Sequence, residues 1–530
     1  MSSHGHSTLS VSSVPSVVPD SEPVTLVANA SQDRALGILQ AQLKAGESDS
    51  ELYKNKEIQF VGGEEESWSD DPINPRNWSL GKKWTMVLVV SLYAFVTPLA
   101  SSMMAPGLPD IAEHYMIMNS TVVALTLSIF LLTFAFGPLI FGPLSEIFGR
   151  TWVFHISNIF FLAFNLGCAY AQNTGTLIGF RLLAGFVGSA PITVGGGTVS
   201  DLFSERDRAS AMAVFTIGPL VAPVVGPIAG GFITETIGFK YVFVIIAGLC
   251  FLAGLFGIPF LRETYAPVIR LRRAKRSGDA ERAIRELFPE YDNKLQRMWA
   301  DMTRPFILLT RSLVCFVLSL YLALMYGIYY LMFTTFPQLF IGTYHFTTGT
   351  SGLAYIGLGL GFMSATVVGA SVADRLYKSL ARRNNGIAKP EMRIPALFFG
   401  SLFVPIGLFW YGWSAQAGLH WIMPIIGTAI FGFGTMTAYL PIQLYLVDTF
   451  THAASATAAG SVFRSLLGFA FPLFGEQMFT RLGYGGGNSL LAGLGIVIGI
   501  PFPIWLYITG ERVRARNKLS RQSVIYQVRI

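Results

Sequence analysis

Charge is what this 530-residue chain has least of: Asp, Glu, Lys and Arg make up 13% of it. A soluble domain carries about 25%, so an ordinary soluble enzyme and a disordered protein are both excluded. Cysteine is scarce as well. The three present, Cys168, Cys250 and Cys315, all fall inside apolar blocks, which excludes a disulfide-built secreted module. The seven histidines show no metal-ligand spacing, so neither a metal site nor a cofactor is expected. A phosphate-cradling GxxxxGK[ST] loop is missing, which argues against an ATP-driven pump. Residues 1–20 lack the basic-then-apolar layout of a signal peptide, so insertion is expected to rely on the first span. What is abundant is apolar surface, 52% of residues, with 13% aromatic. A multi-spanning membrane protein is what remains.

Residues 1–83 hold 12 acidic and 7 basic side chains and no sustained apolar period. They read as a solvated, disordered tail. A bilayer core of about 30 Å needs about 20 helical residues. Twelve segments meet that length: 84–105, 121–141, 152–171, 177–199, 209–233, 241–261, 313–336, 351–373, 394–413, 421–446, 454–479 and 489–508. The expected fold is therefore all-α, with residues 84–261 forming one six-helix bundle and 313–508 a second. A basic linker, 262–312, joins them, and 509–530 form a short tail.

The basic residues lie in alternate gaps, 33 of the 38 on one side. That side is expected to be cytosolic, with both termini inside. A net charge of +7 distributed this way reports orientation and gives no reason to expect a nucleic-acid partner. The linker cluster Arg270, Arg272, Arg273, Lys275 and Arg276 fits the same role, with anionic lipid as an alternative partner. The later linker stretch DAERAIRELF reads as helical.

Several motifs sit at telling places. Gly142-Pro143-Leu144-Ser145-Glu146-Ile147-Phe148-Gly149-Arg150 follows span 2. Glycines allow a tight turn there, and Glu146 and Arg150 offer charges to neighbouring helix ends. Span 4 contains Leu177-Ile178-Gly179-Phe180-Arg181-Leu182-Leu183-Ala184-Gly185. An arginine in mid-span costs about 2.5–3.5 kcal/mol on insertion scales, so Arg181 is expected to face a cavity or partner; backbone carbonyls could satisfy it instead. Span 5 contains Gly218, Pro219, Pro223, Gly226, Pro227, Gly230 and Gly231. Small residues let that helix approach another closely, and prolines bend it.

Together these stretches resemble the signatures of the major facilitator superfamily. The span 5 pattern resembles its antiporter motif, and most of the membrane region is similar to the fungal type of twelve-span drug:H⁺ antiporter. Asn74-Pro75-Arg76-Asn77-Trp78, Ala105-Pro106-Gly107-Leu108-Pro109-Asp110-Ile111, Gly188-Ser189-Ala190-Pro191 and Arg262-Glu263-Thr264-Tyr265-Ala266-Pro267 carry the likeness further. The first 70 residues lie outside it. By this resemblance Asp201 is the partner of the latch after span 2. Thr151 stands where a second basic residue is usual, and Asp374-Arg375 is the degraded counterpart in the second half. The resemblance also implies alternating access, fungal origin and the plasma membrane.

Cargo can be narrowed by charge. The span interiors hold Arg181 and Arg464 but no mid-span Asp or Glu; Glu476 lies toward the outer end of span 11. A neutral or positive cavity suits neutral amphiphiles or organic anions better than polycations. Tyr326, Tyr330 and Phe333 fall on one face of span 7, either as cargo-lining rings or as packing. Proton coupling is expected through Glu146, Arg150 and Asp201 or through Glu476, with Arg181 exchanging partners. The expected function is secondary export of a drug-like amphiphile, secondary metabolite or organic acid by a monomer. An importer or facilitator on the same fold, or a transporter-like nutrient receptor, is the alternative. No nucleophile–base pair points to an enzyme. Asn119-Ser120-Thr121 is a formal glycosylation sequon placed too near span 2 to be used.

Overall fold

A computed structural model of the chain describes residues 68–204, 207–277, 294–450, 453–516 and 526–527. Residues 1–67 and the stretch DAERAIRELF lie outside the described residues. Among the described residues, eleven helices are long and apolar enough to cross a membrane. The first ten are α1 (Leu80–Ser102), α2 (Ser120–Phe148), α3 (Arg150–Ala169), α4 (Thr174–Leu202), α5 (Arg208–Ile237), α6 (Lys240–Phe260), α7 (Leu313–Gly342), α8 (Thr348–Arg383), α9 (Ile394–Gln416) and α10 (Ile422–Thr449).

The eleventh runs from Ala453 to Ala515, 63 residues. Straight, it would measure about 95 Å, three times a bilayer core of about 30 Å. It is not straight: Gly483 has φ +69° and ψ 171°, a conformation that favours glycine, and the chain reverses there. A Cβ on Gly460 would lie 3.7 Å from Leu322, and one on Gly499 would lie 2.5 Å from the Tyr321 ring. A continuous helix would hold those two glycines about 58 Å apart. Residues 453–482 and 484–516 are thus two antiparallel crossings, α11 and α12, and the total is twelve.

Caps set where the rods begin. Asn119, Asn173 and Ser312 each accept a hydrogen bond from an amide in the first turn of α2, α4 and α7, satisfying donors the helix itself cannot. The side chain of Asn119, the sequon residue, is therefore occupied as a cap. The helices exceed the apolar runs: α2 has 29 residues, about 43 Å of helix, longer than a bilayer core of about 30 Å. The linker is more ordered than a mere connection, since Ala266–Ser277 and Lys294–Arg311 are both helical. α12 also continues past Ile508 to Arg516. Beyond it, Tyr526 and Gln527 pair antiparallel with Ala388 and Ile387.

Packing divides the rods into two sets of six. In the first, α1 packs on α5, α2 on α4 and α3 on α6; in the second, α9 packs on α10 and α7 on α11. Between the sets, α2 meets α11 and α5 meets α8. Advancing each helix by six converts the first pair into the second, which is the signature of a two-fold relation between the halves.

Candidate transport cavity and its gates

Between the two sets lies a cavity of about 270 Å³ lined by α1, α2, α4 and α5 on one side and α7, α8, α10 and α11 on the other. Its wall is aromatic and hydroxylated: Phe130, Phe134, Phe215 and Phe362 alternate with Tyr326, Tyr329, Tyr330 and Tyr439. Among the described residues that line it, Arg464 is the one charged side chain and none is a carboxylate. Its guanidinium lies 4.6 Å over the Tyr326 ring and 5.8 Å over that of Tyr439, so the rings fix the cation as well as drawing it. Four lining atoms are buried without a hydrogen-bond partner: Thr97 Oγ1, Tyr329 OH, Thr435 Oγ1 and Arg464 Nε. Each such group costs about 1–3 kcal/mol while unpaired. A cluster of them in one pocket is the mark of a site that receives polar atoms from elsewhere.

Helix α5 adds acceptors. Pro219, Pro223 and Pro227 lie four apart on one face, and each lacks the N–H that would bind the carbonyl one turn back. Pro219 and Pro223 line the cavity, so the carbonyls freed by this ladder lie along its wall.

The expected residues scatter. Tyr326 and Tyr330 line the cavity, but Phe333 does not; it is fully buried and stacks on Tyr355 at 5.0 Å. The cavity ends one turn earlier, where Tyr330 OH and Ser101 Oγ meet at 2.9 Å across the two sets of helices. Ser101 already donates its proton to Pro98 O, so Tyr330 donates to it. Arg181 is also removed from the cavity. It is fully buried and donates to Ala100 O at 2.8 Å, Leu127 O at 3.2 Å and Thr126 O at 3.3 Å, with Phe130 beneath it at 4.8 Å. Carbonyls keep a second lone pair inside a helix, and Arg181 uses those to bind α4 to α1 and α2. Glu476 lies elsewhere again, accepting from Gln338 Nε2 at 2.7 Å in a second pocket of about 260 Å³ at the other end of α11 from the basic loops.

At the basic end, Gly149 takes φ +101° between α2 and α3, and the turn delivers Arg150 to Asp201, Nε to Oδ2 at 3.3 Å. Arg150 Nη1 also donates to Ser145 Oγ at 2.6 Å. Glu263 completes the latch: its Oε1 accepts from the amides of Arg150, Thr264 and Tyr265, and Thr264 Oγ1 donates to Asp201 at 3.2 Å. Glu146 occupies the last turn of α2, half-buried. Sequence reasoning missed Glu263, although the Arg262–Pro267 stretch that holds it was already singled out.

The second half has its own latch, and it is not Asp374-Arg375. Among the described residues, Asp374 makes an exposed pair with Lys378 one turn on. Arg393, just before α9, donates to Asp448 near the end of α10 at 2.6 Å, as Arg150 at the start of α3 does to Asp201 in α4. Arg514 pairs with Glu391 beside it. Asp448→Asn is therefore expected to lower thermal stability by about 1.5–3 kcal/mol, the range of a charge-assisted hydrogen bond. Asp374→Asn is expected to cost under about 0.5 kcal/mol. Unfolding curves in one detergent compare the two, and equal effects would remove the assignment.

At the opposite end the halves are closed against each other. Glu235 at the end of α5 accepts from Gly349 N at 2.6 Å and Thr347 Oγ1 at 2.9 Å, at the start of α8. Thr348 Oγ1 reaches Asp110 at 3.4 Å, and Gln477 Nε2 donates to Thr121 at 3.1 Å. Gly231 makes this closeness possible: a Cβ there would lie 2.7 Å from Thr348 O in α8. α8 answers with Gly352, where a Cβ would lie 2.5 Å from Pro227 O. Gly226 instead seats α5 against α1 within the first half, where a Cβ would lie 2.6 Å from Ser102 Oγ.

Twelve crossings in two related halves, a polar and aromatic pocket between them and a closure at one end define a membrane transporter for a small solute. The sequence model described as the Major Facilitator Superfamily matches residues 90–472, and the chain belongs to that family. It is 43% identical over 457 residues to the efflux pump vrtL of Penicillium aethiopicum, covering 85% of this chain and 90% of the other. It is 42% identical over 475 residues to the MFS transporter prlG of Fungal sp. (strain NRRL 50135), covering 88% and 98%. Among solved structures, the partially occluded inward open xylose transporter XylE from E. coli superposes with a TM-score of 0.58 at 14% identity, over 80% of this chain and 99% of that one. Its relatives are transporters and not enzymes.

Proposed function

We propose that this transporter exports a small aromatic molecule, neutral or anionic, across the plasma membrane in exchange for protons. The observation that carries the cargo class is the lining: among the described residues it holds one cation, Arg464, stacked on tyrosines, with unpartnered hydroxyls in the same pocket and no carboxylate. A carboxylate or phenolate gains a charge-assisted bond there, while a polycation meets a like charge with nothing to offset it. The outward direction rests on the relatives whose names describe efflux pumps. With the end bearing the basic loops placed in the cytosol, the closure formed by Glu235, Thr347 and Gly349 faces outside and the cavity takes cargo from within. Arg150 and Asp201 change partners as the halves rock, and Glu146 and Glu476 are the other candidates for the proton's path. Arg181 holds α4 in register.

Counterflow in vesicles containing the purified monomer tests the reading. Carboxylated or phenolic aromatics should exchange saturably, and spermidine should not compete; a spermidine preference would end the proposal. Comparing media of deletion and overexpressing cells supplies the natural cargo. For coupling, a pH gradient should accelerate uptake into inside-out vesicles. Asp201→Asn should remove that acceleration; if none of Asp201→Asn, Glu146→Gln and Glu476→Gln alters it, the proton path lies elsewhere.

A further inference from the structure

On the outer wall of the first half, away from the cargo cavity, a groove of about 680 Å³ runs between α2, α3 and α4. That volume falls within the range of about 300–1,000 Å³ usual for small-molecule sites. Its walls are almost wholly apolar, with Phe141, Leu144 and Phe148 from α2 facing Trp152, Ile156 and Phe160 from α3. Phe148, Trp152, Ile156 and Phe160 are each about half exposed, at 58%, 58%, 49% and 50%. From Trp152 to Phe160 the groove spans about 12 Å of helix, close to the depth of one leaflet's hydrocarbon in a core of about 30 Å.

Among the described residues that line the groove, the polar ones are Ser157 and, at the basic end, the charged Arg272. It belongs to the helix Ala266–Ser277, which carries five basic residues and no acid and is anchored by buried Val268 and Leu271. Arg272 Nη2 donates to Phe148 O at 3.1 Å and stands 3.8 Å from Glu263 Oε2. Its side chain is still 47% exposed, so donors remain for a further acceptor. An apolar slot one leaflet deep, with a fixed cation at its headgroup end and more positive charge alongside, matches an anionic phospholipid in both of its parts. Dispersion and burial hold the chain; Arg272 selects the headgroup by charge.

We propose that this groove binds an anionic phospholipid, one acyl chain between α2 and α3 and the phosphate on Arg272. The site is continuous with the latch. Arg272 neutralises the same Glu263 whose other oxygen holds the Arg150 amide, so a phosphate on Arg272 acts one bond away from the Gly149 turn.

Trp152 is a built-in reporter. The full chain is placed in nanodiscs containing a low mole fraction of brominated phosphatidylserine or brominated phosphatidylcholine. The Trp152 contribution is taken as wild type minus Trp152→Phe. Quenching by the serine lipid should exceed that by the choline lipid at least threefold. Arg272→Gln should erase the difference, Arg272→Lys should keep most of it, and Arg276→Gln, an equal loss of charge outside the groove, should leave it. Ile156→Phe, which narrows the slot without adding a tryptophan, should reduce quenching by both lipids. Chain-free glycerophosphoserine at the same concentration should not relieve it. Equal quenching by the two lipids in the wild type would overturn the proposal, and that comparison decides even if Arg272→Gln fails to fold. So would a preference that survives Arg272→Gln, one that Arg276→Gln removes as fully, or relief by the chain-free headgroup.

Discussion

Arg464→Met is expected to lower counterflow of an anionic aromatic cargo at least tenfold while leaving the fold intact. The side chain lines the cavity, its Nε has no partner, and its guanidinium rests on Tyr326 and Tyr439. A charge-assisted hydrogen bond is worth about 1.5–3 kcal/mol, and tenfold in rate or affinity corresponds to about 1.4 kcal/mol. The lost cation–π contacts contribute about 0.5–2 kcal/mol in addition, which Met partly replaces with apolar contact. Arg464→Lys separates the two effects. It keeps the charge but not the planar stack or the fork, so it should recover part of the affinity for an anion and little of the selectivity among ring shapes. Rates are compared at matched thermal stability. Undiminished exchange of anions by Arg464→Met would remove the residue from the binding site.

The second large effect is expected at the closure. Glu235→Ala removes two bonds that join the halves, to Gly349 N and Thr347 Oγ1. It also removes a negative charge from the N-terminal end of α8, where the helix dipole favours one. Two bonds to a carboxylate, at about 1.5–3 kcal/mol each and not fully additive, shift a two-state equilibrium by tenfold or more toward opening at that end. Gly231→Val should act in the same direction by a different cause. Its Cβ would lie 2.7 Å from the Thr348 carbonyl, and a backbone atom does not step aside, so α5 and α8 must separate. Overpacking of this kind costs about 1–3 kcal/mol. A cysteine at Gln338, in the pocket at the closed end, should react with a membrane-impermeant maleimide several-fold faster in both backgrounds. Gly230→Val is the contrasting case, because its Cβ meets the Met103 carbonyl within the same half; it should reduce yield of folded protein more than it alters labelling. Unchanged labelling with Glu235→Ala would show that the closure is held elsewhere.

Most of the architecture is legible in the amino-acid sequence alone. The apolar runs located every crossing, because each rod must satisfy its own backbone in lipid and so announces itself by length and composition. The Gly149–Arg150 turn and the glycine–proline pattern of α5 were legible for a similar reason: the residues that permit a tight turn or a close approach are few. Arg464 and the shortage of mid-span carboxylates were visible as composition. The same local reading misplaced what depended on neighbours. Arg181 and Arg464 are both arginines within spans. Only packing separates them, since three carbonyls converge on the first and two tyrosine rings on the second. Tyr326, Tyr330 and Phe333 share a helical face, yet the cavity stops at Tyr330 because Ser101 of the other half closes it there. Tyr329 enters instead, since the pocket wraps toward α8.

The second latch teaches the same lesson. Asp374-Arg375 resembled a counterpart by its position after α8, whereas Arg393 and Asp448 lie 55 residues apart and meet only because α9 and α10 pack antiparallel. By itself the sequence determined what is intrinsic to a segment: twelve membrane rods, their basic side, their bends and the sign of the charge they carry inside. Tertiary structure alone decided which polar groups find partners and which are left facing the cavity. The reason is that hydrogen bonding between rods depends on distances across helices, which no single rod encodes.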